Sequence, residues 1–391
     1  MIEIKDKKDC CGCHACASIC AHRAITMQAD AEGFLYPVVN KDACTDCGLC
    51  EQVCPVINQS SPTLPLKVYA AQSYDEDLRR QSSSGGIFTL LAEAVIREGG
   101  VVFGAKFDKE WNVIHAWTEA IDGLAAFRGS KYVQSTIGNT YKEAKDFLLQ
   151  GRKVLFTGTP CQIAGLKRFL RKDYDNLLTA DVICHGVPSP LVWQKYLDEM
   201  RAKGEITAIS FRDKTHGWAQ YAFRLSYIPT GATTTTNSKE QTLLLPRSEN
   251  IFMRGFLSDL YLRPSCHACP ARSGKSSSDI TLGDFWGIQH VYPKLNDNQG
   301  HNAVLIRSIK GQAFYDKMNI VNVESDYDCL LPENPSLEYN PKHTRYARRF
   351  WREFAKKGLA CISPICKQKS NLNLKTQYFK IKRALLGPLR R

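Results

Sequence analysis

Cys10-x2-Cys13-x2-Cys16-x3-Cys20 recurs 34 residues later as Cys44-x2-Cys47-x2-Cys50-x3-Cys54-Pro55. All four positions shift together, so the run is an internal duplication rather than a scatter of thiols. Its spacing suits cubane iron–sulfur chemistry. Three cysteines on a tight loop reach three irons of one [4Fe–4S] centre, and the fourth, one turn into a helix, points to the other centre. The expected ligand sets are Cys10, Cys13, Cys16 with Cys54, and Cys44, Cys47, Cys50 with Cys20. Gly12 and Gly48 sit inside the loops, where backbone must come close to inorganic sulfur. Zinc is the competing reading of C-x2-C pairs, but structural zinc draws its pairs from separate elements, and two identical runs of four suit it poorly. Ala21 stands where proline usually follows the fourth cysteine, which removes no ligand. Cys11 is an extra thiol, read as a bystander or as a ligand shifted by one residue. Residues 1–58 are thus expected to form an α+β, bacterial-ferredoxin-like domain, closed by a polar, proline-punctuated linker at 59–67.

Sixteen cysteines in 391 residues exceed what a body of this size needs for stability. The start, Met1-Ile2-Glu3-Ile4-Lys5-Asp6, is charged and lacks the apolar stretch of a secretion signal. No apolar run approaches the ~20 residues of a membrane span. These observations predict a cytoplasmic chain with reduced thiols, and metal rather than disulfides. The net charge of +13 is unevenly placed. From Pro341 onward there are 15 basic residues against one acidic residue, Glu353, so the remaining 340 residues are close to neutral. A neutral body argues against nucleic acid as a partner. The basic tail, 331–391, shows two helical patches, Arg345–Lys357 and Lys375–Leu386. It reads either as a solvated terminus or as a peripheral contact with anionic membrane lipid or an acidic protein.

Between these ends the pattern alternates. Val101–Phe107, Lys153–Phe156, Leu177–Ile183, Ile206–Phe211, Tyr221–Tyr227, Ile280–Leu282 and Ala303–Ile306 read as strands. Ile87, Leu90, Leu91, Ala94 and Val95 mark one face of a helix stopped at Gly99-Gly100, and Tyr141–Gln150, Cys161–Arg171 and Leu191–Lys203 read as further helices. Thr230–Thr236 reads as a hairpin tip or loop. The expected class is an α/β body with a mixed sheet, organised as regions 68–150 and 151–330. Gln81–Gly86 places hydroxyls and glycines at a helix N-terminus, a phosphate-compatible arrangement that is equally a plain N-cap. Leu155–Gln162 is a strand, a tight turn and a helix start, the place where α/β sheets bind ligands. No G-x-G-x-x-G follows a strand, so an ordinary nicotinamide fingerprint is lacking.

Ser83-Ser84-Gly85-Gly86-Ile87-Phe88, Gly129-Ser130-Lys131-Tyr132-Val133-Gln134 and Phe156–Gln162 together resemble the coenzyme F-420 hydrogenase/dehydrogenase beta-subunit family. Cys184–Ser189, Phe211–Lys214, Cys266-x2-Cys269 and Asp279–Gly287 carry the same resemblance, which spans about residues 1–308. It implies a flavoprotein with FAD beside iron–sulfur clusters. Ser83, Ser84, Gly85 and Gly86 with Gly129, Ser130, Lys131, Tyr132 and Gln134 would hold the flavin, and Thr157, Gly158 and Thr159 would lie near its ring. In that motif context Cys161, Cys184, Cys266 and Cys269 are the four thiols a third [4Fe–4S] cluster needs, the alternative being small buried core residues. His267 is expected to cap or contact rather than ligate, and Cys329, Cys361 and Cys366 to be inert. Candidate acid–base groups are His185, Asp213, His216 and Asp284.

The expected activity is that of a ferredoxin- or deazaflavin-linked oxidoreductase. Electrons would pass between ferredoxin or another redox protein, the clusters, FAD and an organic acceptor. That acceptor would be the deazaflavin coenzyme or a biosynthetic, polysaccharide-related substrate. The alternative is an electron-transfer component of a larger hydrogenase or dehydrogenase complex without its own substrate.

Overall fold

A computed structural model describes residues 1–230 and 240–370. All but the first residue of the expected loop Thr230–Thr236, and the basic patch Lys375–Leu386, lie outside the described residues.

The N-terminal lobe is a two-stranded antiparallel hairpin, β1 (Ile25–Ala29) and β2 (Leu35–Val39), with short helices at Ala15–Ile19 and Leu49–Gln52. Asp30 makes the hairpin turn by accepting from the amides of Glu32 and Phe34, each at 3.0 Å. The duplication is visible in the backbone. Gly12 (φ 68°) and its equivalent Asp46 (φ 49°) both turn through the left-handed region, as do His14 (φ 63°) and its equivalent Gly48 (φ 73°). Each cysteine loop therefore reverses twice, at matching places, around its sulfur ligands.

The body is built on an eight-stranded mixed sheet. Its strands are β3 (Lys67–Gln72), β4 (Val101–Phe107), β5 (Val113–Thr118), β6 (Val154–Gly158), β7 (Leu177–Val182), β11 (Ile280–Asp284), β12 (Asn302–Ile306) and β13 (Val321–Ser325). Between β7 and β11 the chain forms a separate three-stranded antiparallel sheet of β8 (Gly204–Asp213), β9 (Ala222–Pro229) and β10 (Gln241–Pro246). The large sheet runs β13-β3-β12-β11-β7-β6-β4-β5, with β11, β7, β6 and β4 parallel and the outer pairs antiparallel. It takes strands from both sides of residue 150. Alternation assigns its faces. Val101, Phe103, Val154 and Phe156 pack under the helices Thr140–Leu149 and Pro160–Leu170. Val102, Leu155, Leu178 and Ala180 pack under the helix Ile87–Arg97.

The cysteine lobe rests on the first of these faces, and Cys11, Cys13, Ala15 and Val53 belong to the same core cluster. The approach is close because Gly165, on the helix Pro160–Leu170, has no side chain; a Cβ there would lie 2.8 Å from Cys13 Cβ and 3.0 Å from its sulfur. The linker is tied down as well. The Thr63 amide donates to the Ser273 carbonyl at 3.0 Å and the Leu66 amide to that of Ile306 at 2.7 Å.

The helix Arg345–Lys357 has the bounds read from the sequence, but it is docked, which corrects the solvated-terminus reading for this stretch. Tyr346, Phe350 and Phe354, spaced four apart, insert into the core that holds Trp193, Phe211, Phe252 and Tyr261. Arg345, Arg348, Arg352 and Lys356 face outward. Among the described residues no helix is long and apolar enough to cross a membrane.

Candidate functional site

Cys10, Cys13, Cys16 and Cys54 line one cavity of the lobe, walled by Ile2, Ile4, Met27, Pro37 and Val56. The cavity thus groups three cysteines of the first run with one of the second, as the spacing predicts for a crossed ligand set. Burial pushes the Cys16 thiol up to about 12, and Cys13 and Cys54 are also raised. The thiolates a cluster needs thus become stable only with a cation to meet them. Of the other set, Cys20 and Cys50 pack against the Cys16–Cys54 pair, Cys44 is half-buried and Cys47 is exposed. The second site therefore lies at the protein surface and the first lies inside.

The fold brings four distant body cysteines together. Cys161 is the second residue of the helix Pro160–Leu170. That helix starts at Thr159, whose amide donates to Gln162 Oε1 at 2.9 Å, with Pro160 in its first turn. Cys184 lies two residues past the end of β7, the parallel neighbour of β6, so both sit at one carboxyl edge of the sheet. Cys266 lies in the turn Pro264–Ala268 and Cys269 directly follows it, a segment held against that edge by the Pro188–Leu262 bridge and by the Arg263 amide donating to the Val187 carbonyl at 2.9 Å. All four line one cavity of about 630 Å³ with its open mouth included. Burial raises each of Cys184, Cys266 and Cys269, and each is raised further by a neighbouring thiolate of the set. Cys11, read as a bystander or a ligand shifted by one residue, lines both this cavity and the lobe cavity, and its thiol lies against those of Cys13 and Cys161. Cys361 and Cys366 are buried in the core, and Cys329 is exposed. His267 Nδ1 contacts the Pro341 carbonyl at 2.8 Å.

The two loops carried over for the flavin also meet. The Ser130 amide donates to Ser83 Oγ at 2.7 Å, and Ser84 Oγ donates to the His301 carbonyl at 2.7 Å. Lys214 Nζ donates to the carbonyls of Ser84 and Gln299 at 3.0 and 2.6 Å. Lys131 Nζ donates to the carbonyls of Phe127, Arg128 and Gly129 at 3.2, 2.9 and 3.2 Å. Desolvation lowers Lys131 to about 7 and Lys214 to about 8. Among the described residues, Arg79 Nε, Arg128 Nε, Arg212 Nε and both ring nitrogens of His301 are buried without a hydrogen-bond partner. Cations held by carbonyls and unpaired buried donors beside Ser83–Ser84 suit an anionic group such as a pyrophosphate.

Other carried-over residues are engaged within the protein. Gln134 donates from Nε2 to the Cys11 carbonyl at 3.0 Å and accepts from Arg263 at 2.9 Å. Tyr132 OH accepts from Arg212 at 3.2 Å. Thr157 Oγ1 donates to the Phe103 carbonyl at 2.9 Å, and its own carbonyl meets His115 Nε2 at 2.9 Å. Burial lowers His115 to about 4, so that ring is neutral between Thr157 and Ser135.

The candidate acid–base groups fall into separate hydrogen-bond sets. His185 Nε2 contacts Asp259 Oδ1 at 2.7 Å, next to Cys184. Asp213 holds its own turn by accepting from the Thr215 amide at 2.9 Å, and His216 is exposed. Asp284 accepts from Arg212 Nη1 at 2.7 Å and from Trp218 Nε1 at 2.8 Å. Arg212 lies over the rings of Tyr221 and Trp286 at 4.0 and 5.3 Å. Asp284→Ala leaves that buried guanidinium without its carboxylate and is expected to cost about 3–5 kcal/mol. The check is the urea midpoint; a stability unchanged from wild type would show that Asp284 is no brace.

Arg212, Lys214, His115 and Arg263 were not singled out from the sequence. Arg212 and Lys214 lie inside the Phe211–Lys214 motif, and two cations in that motif were the one available signal.

Residues 9–58 match the model of the 4Fe-4S dicluster domain, and residues 151–324 match that of the C terminus of the coenzyme F420 hydrogenase/dehydrogenase beta subunit. The Ser83–Gly86 and Gly129–Gln134 loops lie outside both matched stretches. Among curated proteins, the coenzyme F420-dependent sulfite reductase of Methanocaldococcus jannaschii is 23% identical over 202 residues, 50% of this chain and 30% of that protein. One of the subunits of the F(420)H(2) dehydrogenase of Methanosarcina mazei is 22% identical over 194 residues, 45% of this chain and 53% of that protein. The chain thus matches about half or less of these relatives' length. A chain of the F420-reducing [NiFe] hydrogenase complex from Methanosarcina barkeri aligns with a TM-score of 0.44 at 18% identity, covering 84% of this chain and 95% of that one. The chain carries an iron–sulfur dicluster domain followed by the C-terminal domain of the F420 hydrogenase/dehydrogenase beta-subunit family.

Proposed function

We propose that this chain, with its dicluster lobe set on an F420-type beta-subunit body, is an iron–sulfur flavoprotein that passes electrons between a ferredoxin-type redox protein and a deazaflavin-class acceptor. The observation that carries the reading is a continuous series of thiols. It runs from Cys20 and Cys50, packed against Cys16 and Cys54, through the cavity of Cys10, Cys13, Cys16 and Cys54, past Cys11, to the cavity of Cys161, Cys184, Cys266 and Cys269. When bound, iron–sulfur cubes carry electrons singly, and a flavin converts single electrons into the pair a hydride acceptor takes. The protein's own residues hold and shield these groups. The lobe's apolar wall excludes water around the inner set, and the exposed Cys47 end offers the docking side for a partner. Lys214, with the buried N–H donors of Arg79 and Arg212 near Ser83–Ser84, would meet the flavin's phosphates. The names of the two curated relatives, both F420-linked, support a deazaflavin as the acceptor class.

The test is anaerobic purification followed by metal and flavin analysis and a deazaflavin assay. About twelve irons for three cubes, one FAD and reduced-ferredoxin-dependent bleaching of the deazaflavin are expected. Zinc in place of iron, with no flavin, would end this reading. Full cofactor content without turnover would favour the second reading, a component that hands electrons to a catalytic partner. The observation in its favour is that the Methanosarcina mazei relative is by name one part of a dehydrogenase of several subunits.

A further inference from the structure

Arg263 stands where the lobe, the sheet edge and the Cys266–Cys269 turn meet. It is fully buried, with none of its surface exposed. Its guanidinium donates from Nε to the Cys10 carbonyl at 2.8 Å, from Nη1 to Gln134 Oε1 at 2.9 Å, and from Nη2 to the Leu35 carbonyl at 2.8 Å. Nη2 also reaches the Cys10 sulfur at 3.6 Å. The rings of Tyr36 and Phe34 lie 4.4 and 5.4 Å from its Cζ. Among the described residues no carboxylate pairs with it, unlike Arg212 and Arg79, which have Asp284 and Asp297.

Burying a full positive charge without a counter-charge costs several kcal/mol. The groups on hand to balance it are cysteine sulfurs, which carry negative charge once they ligate iron. Cys10, at the lobe cavity, receives a direct hydrogen bond. Arg263 also lines the body cavity that holds Cys161 and Cys266. Room for the group is reserved in the cysteine loop itself. Gly12 turns with φ 68°, and a Cβ there would come within 2.8 Å of Arg263 Nη1 and of Gln134 Nε2.

We propose that Arg263 is a positioning residue and the shared counter-ion of two iron–sulfur centres, the one held by Cys10, Cys13, Cys16 and Cys54 and the one in the body cavity. This rests on the proposed function above. Cluster potentials respond to net charge and to hydrogen bonds on ligand sulfur. A fixed cation between two anionic sites stabilises the extra electron on either one. With both centres bound, a single electron passing between them would make and break no bond, and Arg263 would stand beside cysteines of both sets. Arginine suits the place better than lysine because its planar fork bonds three oxygens and a sulfur at once and does not shed its proton.

The test compares wild type, Arg263→Met and Arg263→Lys in the full chain, reconstituted anaerobically, by iron analysis and EPR-monitored redox titration. Arg263→Met is expected to keep its iron while the reduced-to-oxidised ratio of the inner lobe centre at a fixed poise falls at least tenfold, about 59 mV for one electron. Arg263→Lys, which keeps the charge, should stay closer to wild type than to Arg263→Met. Full iron with unchanged potentials in Arg263→Met overturns the proposal. If Arg263→Met does not accumulate folded, Arg263→Lys decides: full iron with a near-native potential supports a charge role. Loss of folded protein in both variants would assign Arg263 to packing alone and also overturn it. Wild type without iron would instead defeat the underlying functional reading, so the two failures are distinct.

Discussion

Replacing Cys54 with alanine is expected to empty the centre served by the first cysteine run and to spare the one served by its own. Cys54 shares a cavity with Cys10, Cys13 and Cys16, not with Cys44 and Cys47. The variant should lose about four irons and the signal of one cube, while Cys20→Ala removes the other cube. Iron and sulfide analysis with EPR at two potentials separates the two outcomes. Loss of the second-run signal in Cys54→Ala, with the first intact, would refute the crossed assignment. The effect extends to folding. The lobe's helices, Ala15–Ile19 and Leu49–Gln52, have five and four residues, far too few to persist alone, so bonds from these cysteines to bound iron would add to the lobe's stability. A fall in protease resistance of residues 1–58 should accompany the loss of iron.

Cys184→Ala is expected to have an equally large but separate effect. It should remove about four irons from the body and leave the lobe's two cubes in place. Burial holds the Cys184 thiol well above its ordinary range, so three remaining thiols in this cavity are poorly placed to ionise and retain a cube unaided. Flavin content should be unchanged, because Ser83, Ser130 and Lys214 lie in a different hydrogen-bond set. Flavin reduction by reduced ferredoxin should fall to the background rate, followed by stopped-flow bleaching. Full iron in Cys184→Ala would remove the body centre from the scheme; a full rate of flavin reduction without that iron would remove it from the electron path.

Much of the local structure was legible from the sequence. The strands Val101–Phe107 and Leu177–Val182 and the basic helical patch Arg345–Lys357 follow from short-range pattern and composition. β5, β10, β3 at the end of the expected linker and β13 were not foreseen. β3 and β13 pair with each other at the sheet's margin through residues more than two hundred positions apart. The dockings of the tail helix and of the linker were missed for a related reason: which apolar surface awaits a segment is not written in the segment.

The site divides along the same line. The chain's own order determined the match to a dicluster iron–sulfur domain, because three cysteines of each run lie on one short loop at cluster spacing. Folding decided the rest. Cys161 and Cys184 reach one edge because β6 and β7 are parallel neighbours, and Cys266 and Cys269 arrive through a bridge to Pro188. Arg263 meets Cys10 across 253 positions of sequence. A buried charge is recognisable only when its surroundings are known, since burial and the lack of a carboxylate are properties of packed neighbours rather than of any stretch of residues.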